Sequence, residues 1–252
     1  MLDNATVTKL REMHLNIMAK EFQAQTGNRD IVSISFEERF GMLVDAEWDS
    51  RKNNRMTRLI RAANYPEPGA SLEGIEYHAD RELDKPLITR LGMCGYIKDC
   101  RNVIILGATG SGKTYISNAL GMAANRKFYS SRYIRLPELL MELAFGREDG
   151  SYKKILKSFK AVDLLILDEW LLYPLKEADA RELLEIAEAR CKKASTIFCS
   201  QMDVTGWHDR IGAPSEPTLA DAICDRIVHN SYGITIKGES MRQRKSFQNC
   251  KD

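Results

Sequence analysis

Residues 107–114 read Gly-Ala-Thr-Gly-Ser-Gly-Lys-Thr, an unbroken G-x-x-x-x-G-K-[ST] pattern, and no other stretch of the chain constrains its fold as tightly. The flanks fit. Asn102-Val103-Ile104-Ile105-Leu106 is a short apolar run suited to a buried strand, and Tyr115 to Asn125 reads as a helix. Strand, glycine loop and helix start together make an anion hole. Gly107, Gly110 and Gly112 free the backbone N–H groups to point inward, and the helix end adds partial positive charge. All eight residues, including Ala108, Thr109 and Ser111, are therefore candidate nucleotide contacts. Lys113 is expected to reach β- and γ-phosphates and Thr114 to ligate Mg²⁺. The bland alternative, a glycine-rich turn before a helix, does not require the full pattern between the right elements.

A second element matches the first. Asp163-Leu164-Leu165-Ile166-Leu167-Asp168-Glu169 is an apolar strand ending in two acids, a Walker B pattern. Asp168 is expected to hold Mg²⁺ through water and Glu169 to orient and polarise the attacking water. Ser195 to Gln201 is a further strand with a polar end, where Ser200 or Gln201 is placed to sense the γ-phosphate; an ordinary strand end is the alternative. Arg226 closes a helix that starts near Thr218. It is a candidate arginine finger or, in the plainer view, the partner of a local acid. Arg242, in Gly238-Glu239-Ser240-Met241-Arg242, is a candidate sensor arginine or a solvated C-terminal residue.

From about residue 80, strands at 102–106, 132–136, 163–167, 195–200 and 234–237 alternate with helices at 113–125, 137–145, 176–192 and 218–229. This argues α/β architecture, a mostly parallel sheet covered on both faces. Residues 1–68 form a small helical module before a domain over 69–252. A helix is expected over 5–26, with Leu10, Met13, Ile17 and Phe22 on one face. A second is expected from about Phe36 to Ala63, opened by the capping box Ser35-Phe36-Glu37-Glu38 and ended by Pro66, Pro68 and Gly69. The last dozen residues are polar and expected to fray.

Composition excludes more than it reveals. Apolar residues at 44% support a core, and the chain of 252 residues holds no apolar stretch of membrane-spanning length. The start, Met1-Leu2-Asp3-Asn4, lacks a signal-peptide layout. Cysteines at 94, 100, 191, 199, 224 and 250 form no C-x-x-C pair, and the four histidines are scattered. A dedicated metal centre is not expected, and reduced thiols in a cytoplasmic protein are.

A net charge of +2 does not announce nucleic acid. Residues 1–70 carry as many acids as bases, yet Arg51, Lys52, Arg55, Arg58 and Arg61 fall between Asp49 and Glu67 with no acid among them. Arg51, Arg55 and Arg58 are spaced i, i+4, i+7 and share a helix face. Such a row suits the duplex DNA backbone, read without base specificity; a solvated helix face is the alternative.

The helical N-terminus, Gly107–Thr114, Leu164–Glu169, Thr196–Gln201, Asp225-Arg226 and Gly238–Arg242 stand in an order that resembles the IstB-like ATPases. These are ATP-binding helpers of one class of bacterial insertion sequences and relatives of the DnaC and DnaI helicase loaders, within the AAA+ group that includes DnaA. The likeness runs from about Lys9 to Lys245. The P-loop marks P-loop ATPases in general. The compact helical N-terminus, Asp168-Glu169-Trp170 and Lys237–Arg242 point to IstB. The resemblance implies an AAA+ core with a parallel five-stranded sheet and ATP at a subunit boundary. It implies that Arg226 acts in trans, and that a homo-oligomer assembles on duplex DNA and recruits or activates a transposase encoded by the same element. About fifteen residues follow the last strand, so the AAA+ lid is expected to be reduced or absent. The nearest competing expectation is a helicase loader. A small-molecule kinase and a nucleotide-gated binding module without turnover are further ones.

Overall fold

The computed structural model describes residues 2–27, 31, 33–212 and 217–244. The chain divides into two compact units, Met1–Arg58 and Leu59–Asp252.

The first unit is built from α1 (Leu2–Glu12), α2 (Asn16–Gly27) and most of α3 (Phe36–Ala63). The single helix expected over 5–26 is broken at Met13–Leu15. His14 takes a left-handed φ of 58°, His14 N–H donates to Arg11 O at 2.9 Å and Leu15 N–H to Leu10 O at 2.8 Å. This is a Schellman ending with histidine in place of the usual glycine. The restart is capped from α3. One Glu47 oxygen accepts from Ile17 N–H at 3.0 Å and Met18 N–H at 3.1 Å. Arg51 Nε then bonds the other Glu47 oxygen at 2.8 Å, and its Nη2 reaches His14 O at 2.9 Å. Burial pushes the Glu47 carboxyl up, but the Arg51 guanidinium and the two amides outweigh it and hold the pKa below the ordinary value. The start of α3 is as the sequence indicates: Glu38 N–H donates to Ser35 Oγ and Ser35 N–H to Glu38 Oε2, both at 3.2 Å.

In the second unit, α4 (Lys85–Gly92) and α5 (Gly95–Lys98) precede β1 (Asn102–Gly107) and α6 (Lys113–Arg126). Then come β2 (Ser131–Arg135), α7 (Leu136–Asp149), α8 (Tyr152–Ala161), β3 (Leu164–Asp168) and α9 (Glu177–Arg190). The order closes with β4 (Ser195–Ser200), α10 (Trp207–Ile211), α11 (Pro217–Val228) and β5 (Ser231–Ile236). The five strands form one parallel sheet in the order β2-β3-β4-β1-β5. It is an α/β core, a parallel sheet covered by helices on both faces. Strand alternation splits the core between the faces. Val103, Ile105, Ile166 and Ile197 pack with α6, while Ile104, Leu165, Leu167 and Phe198 pack with residues of α7, α9 and α11. Strands β3 and β4 are buried throughout, as interior parallel strands must be.

Helices α4, α5, α8 and α10 were not expected. Helix α4 starts at Asp84, whose carboxylate accepts Leu87 N–H at 2.9 Å. Helix α8 buries Leu156 and Phe159 and turns its lysines outward. After β5 the described chain runs through residues 237–244; the rest of the tail expected to fray lies outside the described residues.

Candidate nucleotide-binding site

The loop at the end of β1 needs its glycines for different reasons. Gly110 and Gly112 have φ of 76° and 96°, a region costly for any other residue. At Gly107 a Cβ would lie 2.7 Å from Ser111 Oγ and 2.9 Å from Ile236 O. Gly112 opens α6 with no side-chain cap, which leaves the first amides of that helix for a ligand. Lys113 folds under its own loop. Its Nζ donates to Gly107 O at 2.7 Å and Ala108 O at 2.9 Å, and burial lowers its pKa. Thr109 Oγ1 donates to Gln201 Oε1 at 2.8 Å and ties the loop to the tip of β4.

The acids meet this loop because β3 lies two strands from β1 and ends at the same edge of the sheet. Thr114 Oγ1 donates to Asp168 Oδ2 at 2.6 Å. The same oxygen accepts Tyr133 OH at 2.9 Å, and Asp168 Oδ1 accepts Glu169 N–H at 2.8 Å. Burial and the neighbouring Asp168 push the Tyr133 hydroxyl well up, so it remains a donor. Glu169 has a left-handed φ of 53°, and its carboxylate lies 3.6 Å from Nη1 of Arg135, whose Nε and Nη2 pair with Glu138. Tyr133 and Arg135, both on β2, are site residues that sequence reasoning missed. The strand was read, but which strand it would flank was not.

Ser200 is turned away from the loop. It is buried, its hydroxyl donates to Trp170 O at 3.0 Å and accepts Met202 N–H at 3.1 Å. Gln201 faces the nucleotide loop instead, one residue on and on the opposite side of the strand end. Trp170 is core, edge-on to Phe198 at 4.7 Å and to Trp207 at 5.7 Å.

Arg242 is brought to the loop. Met241 N–H donates to Gly110 O at 2.9 Å, and Arg242 borders the clefts on both sides of Lys113. One cleft is lined by Ile75, Glu76, Tyr115 and Met241, the other by Asp168, Glu169, Gln201 and Arg210. Arg226 is not brought there. It lies near Asn102 and Asn230 at the opposite edge of the sheet, donating to Ala222 O at 2.7 Å and pairing with Glu188 at 2.8 Å.

On α3, Arg51, Lys52, Arg55, Arg58 and Arg61 are all exposed. Arg51 nevertheless has the structural duty at Glu47 and His14 described above, and Lys52 Nζ sits 5.2 Å over the Trp48 ring. Among the described residues no group of three or more His, Cys, Asp or Glu is placed to hold a metal, and no helix is long and apolar enough to cross a membrane.

The chain and its fold have known counterparts. A putative insertion sequence ATP-binding protein of Sinorhizobium fredii is 38% identical over 245 residues, 97% of this chain and 98% of that one. The crystal structure of DnaI matches with a TM-score of 0.59 at 22% identity, over 72% of this chain and 94% of that chain. AMPPCP-bound DnaA from Aquifex aeolicus matches with a TM-score of 0.56 at 18% identity, over 73% of this chain and 55% of that chain. At these identities the two structures speak for the fold. The model of the family described as IstB-like ATP binding protein matches residues 8–249. The chain belongs to the IstB-like ATP binding protein family.

Proposed function

We propose that this protein binds ATP with Mg²⁺ and hydrolyses it to ADP and phosphate, and that it acts as a homo-oligomeric helper of DNA transposition. The observation that carries the ATP site is the hydrogen bond from Thr114 to Asp168, set beside Lys113 at the mouth of an uncapped helix. A hydroxyl and a carboxylate are hard oxygen donors. Only two protein ligands suit Mg²⁺, which takes its remaining oxygens from water and phosphate. When bound, that ion supplies positive charge to the β- and γ-phosphate oxygens.

The protein's own groups divide the remaining work. Lys113, desolvated beneath the loop, exchanges two carbonyl partners for phosphate oxygens. Glu169 takes the proton side of water attack, and Arg135 holds its carboxylate in place. Gln201 and Arg242 border the γ-phosphate end of the loop. Arg226, on the far edge of the sheet, serves a neighbouring subunit's site across the boundary. The exposed row Arg55, Arg58 and Arg61, with Lys52 and Arg51 at its start, contacts the duplex DNA backbone. The partner is a transposase from the same element, a reading supported by the insertion-sequence name of the 38% identical relative. The alternative, a helicase loader, is favoured by likeness of fold alone, to DnaI and to the DnaC helicase loader.

The test separates binding from turnover. Glu169→Gln is expected to bind ATP as wild type does and to lose hydrolysis by about 10² or more. Lys113→Ala is expected to lose both. Loss of nucleotide binding in Glu169→Gln would contradict this division. Sizing with duplex DNA, with and without a non-hydrolysable ATP analogue, tests assembly; no growth of the complex with the analogue would count against it.

A further inference from the structure

Two segments outside the P-loop hold it, and both border the cleft beside Lys113. One is the turn 76–82, with Ala79–Arg81 in a 3-10 helix; the other is the turn 237–244 after β5. Arg81 is 3% exposed. Its guanidinium donates to Ser111 O at 2.8 Å and also to Glu76 O, and it fills the space beside Gly112, where a Cβ would lie 3.0 Å from Nη2. Asp80 binds the other segment. Its carboxylate accepts Glu239 N–H at 3.3 Å and the Arg244 guanidinium. Lys237 N–H donates to Arg81 O at 3.1 Å. Gly238, at φ 80°, lies so close that a Cβ would strike the Asp80 carboxylate. The same turn then returns to the loop through Met241 N–H and Gly110 O, with Ser240 packed where a Gly110 Cβ would be.

The consequence follows from peptide geometry. In a trans peptide the C=O and the next N–H point in opposite directions. A donor that holds Ser111 O therefore sets the direction of Gly112 N–H, an amide of the anion hole. Arg81 does this with a fork that spans two carbonyls, a shape lysine lacks. Asp80 does not touch the loop. It anchors the turn on which Arg242 is carried to Lys113.

Resting on the ATP site proposed above, we propose that Arg81 and Asp80 are positioning residues for the nucleotide: Arg81 sets the Gly112 amide, and Asp80, through Glu239 and Arg244, holds Arg242 over the loop. ATP and ADP both need the amide. Only ATP carries the γ-phosphate that Arg242 serves. Asp80 thus tunes discrimination between the two nucleotides, and Arg81 tunes affinity for both.

The experiment is calorimetric titration of the full chain with a non-hydrolysable ATP analogue and with ADP. Asp80→Asn should weaken the analogue about five- to tenfold, the size of one displaced charge-assisted contact, and ADP by less than about twofold. In an Arg242→Ala background Asp80→Asn should add no further loss, because it acts through that arginine. Arg81→Lys should weaken analogue and ADP alike. Equal losses for both nucleotides in Asp80→Asn, no loss at all, or full additivity with Arg242→Ala would overturn the proposal, since a merely structural Asp80 would not change the ATP-to-ADP ratio. A wild-type chain that binds neither nucleotide would overturn the ATP site itself, a different failure from wild type binding both while the ratio stays fixed in Asp80→Asn.

Discussion

The two edges of the parallel sheet are finished differently. At the edge where the strands begin, one buried arginine satisfies a set of buried acceptors. Arg190 is 3% exposed and donates to Thr196 Oγ1 at 3.0 Å, Phe159 O at 2.9 Å, Val162 O at 2.8 Å and Ser195 O. Burial lowers its pKa to about 10, yet every arm has a partner. At the edge where the strands end, α6 has no cap, Lys113 rests on carbonyls of its own loop, and Glu169 and Leu171 stand in left-handed backbone on either side of Trp170. Left-handed backbone does not separate the edges, since Cys100, Phe128 and Lys192 adopt it where β1, β2 and β4 begin; what sets the strand-end edge apart is its unspent donors. A buried arginine alone therefore says little. Arg190 closes a corner of the fold, while Arg81 grips a loop that has a task.

The sharpest way to break this contrast lies with Arg226, which sits at the finished edge yet is proposed to work at the other edge of a neighbour. An arginine finger contributes roughly 10³ in rate or more. Arg226→Ala and Glu169→Gln should each be nearly inactive, and mixing them should restore turnover, because some boundaries then pair an intact glutamate with an intact arginine. No recovery in confirmed hetero-oligomers would leave Arg226 as the partner of Glu188 and nothing more.

Next in size is Arg190→Met. Four acceptors lose their donor at once, so denaturant unfolding of the nucleotide-free protein should show a loss of about 3 kcal/mol or more. A loss below about 1 kcal/mol would mean that the finished edge is not finished by this residue.

The smallest effects concern α3. Arg55→Ala should lower the slope of log affinity for duplex DNA against log salt by roughly 0.9, equally on any sequence. Arg51→Ala should in addition lower stability by about 1 kcal/mol, because it also holds Glu47 and His14. Salt titration with ATP analogue present, beside a melting curve, separates the two. An unchanged slope in Arg55→Ala would make the row a solvated face or a protein-docking surface.

What was legible in the sequence was what is local in the chain. The octapeptide 107–114 carries its strand, glycines, lysine and threonine within a few residues, and the strand ending in Asp168-Glu169 is equally self-contained. The capping box at Ser35 is a three-residue affair. What was not legible depends on partners far away. The break at His14 keeps the apolar spacing of one helix, and it is Glu47, some thirty residues on, that restarts the chain. Tyr133 reaches Asp168 only because β2 pairs with β3 in this register. Ser200 and Gln201 differ by one step of strand alternation, which decides which of them sees the loop. Asp80 and Arg244 lie at opposite ends of the domain sequence. Helix α8 was legible in principle, since Tyr152, Ile155, Leu156 and Phe159 carry helical spacing.

The central claim is that the strand-end edge is built for a nucleotide rather than for stability, and Lys113 tests it most directly. Calorimetric titration with ATP and Mg²⁺, paired with denaturant unfolding of the nucleotide-free protein, should show Lys113→Ala with no measurable binding and a folding free energy within about 1 kcal/mol of wild type, because the deleted amine is a desolvated charge held only by loop carbonyls. Retained ATP binding in Lys113→Ala, or a large loss of stability with binding intact, would contradict the account.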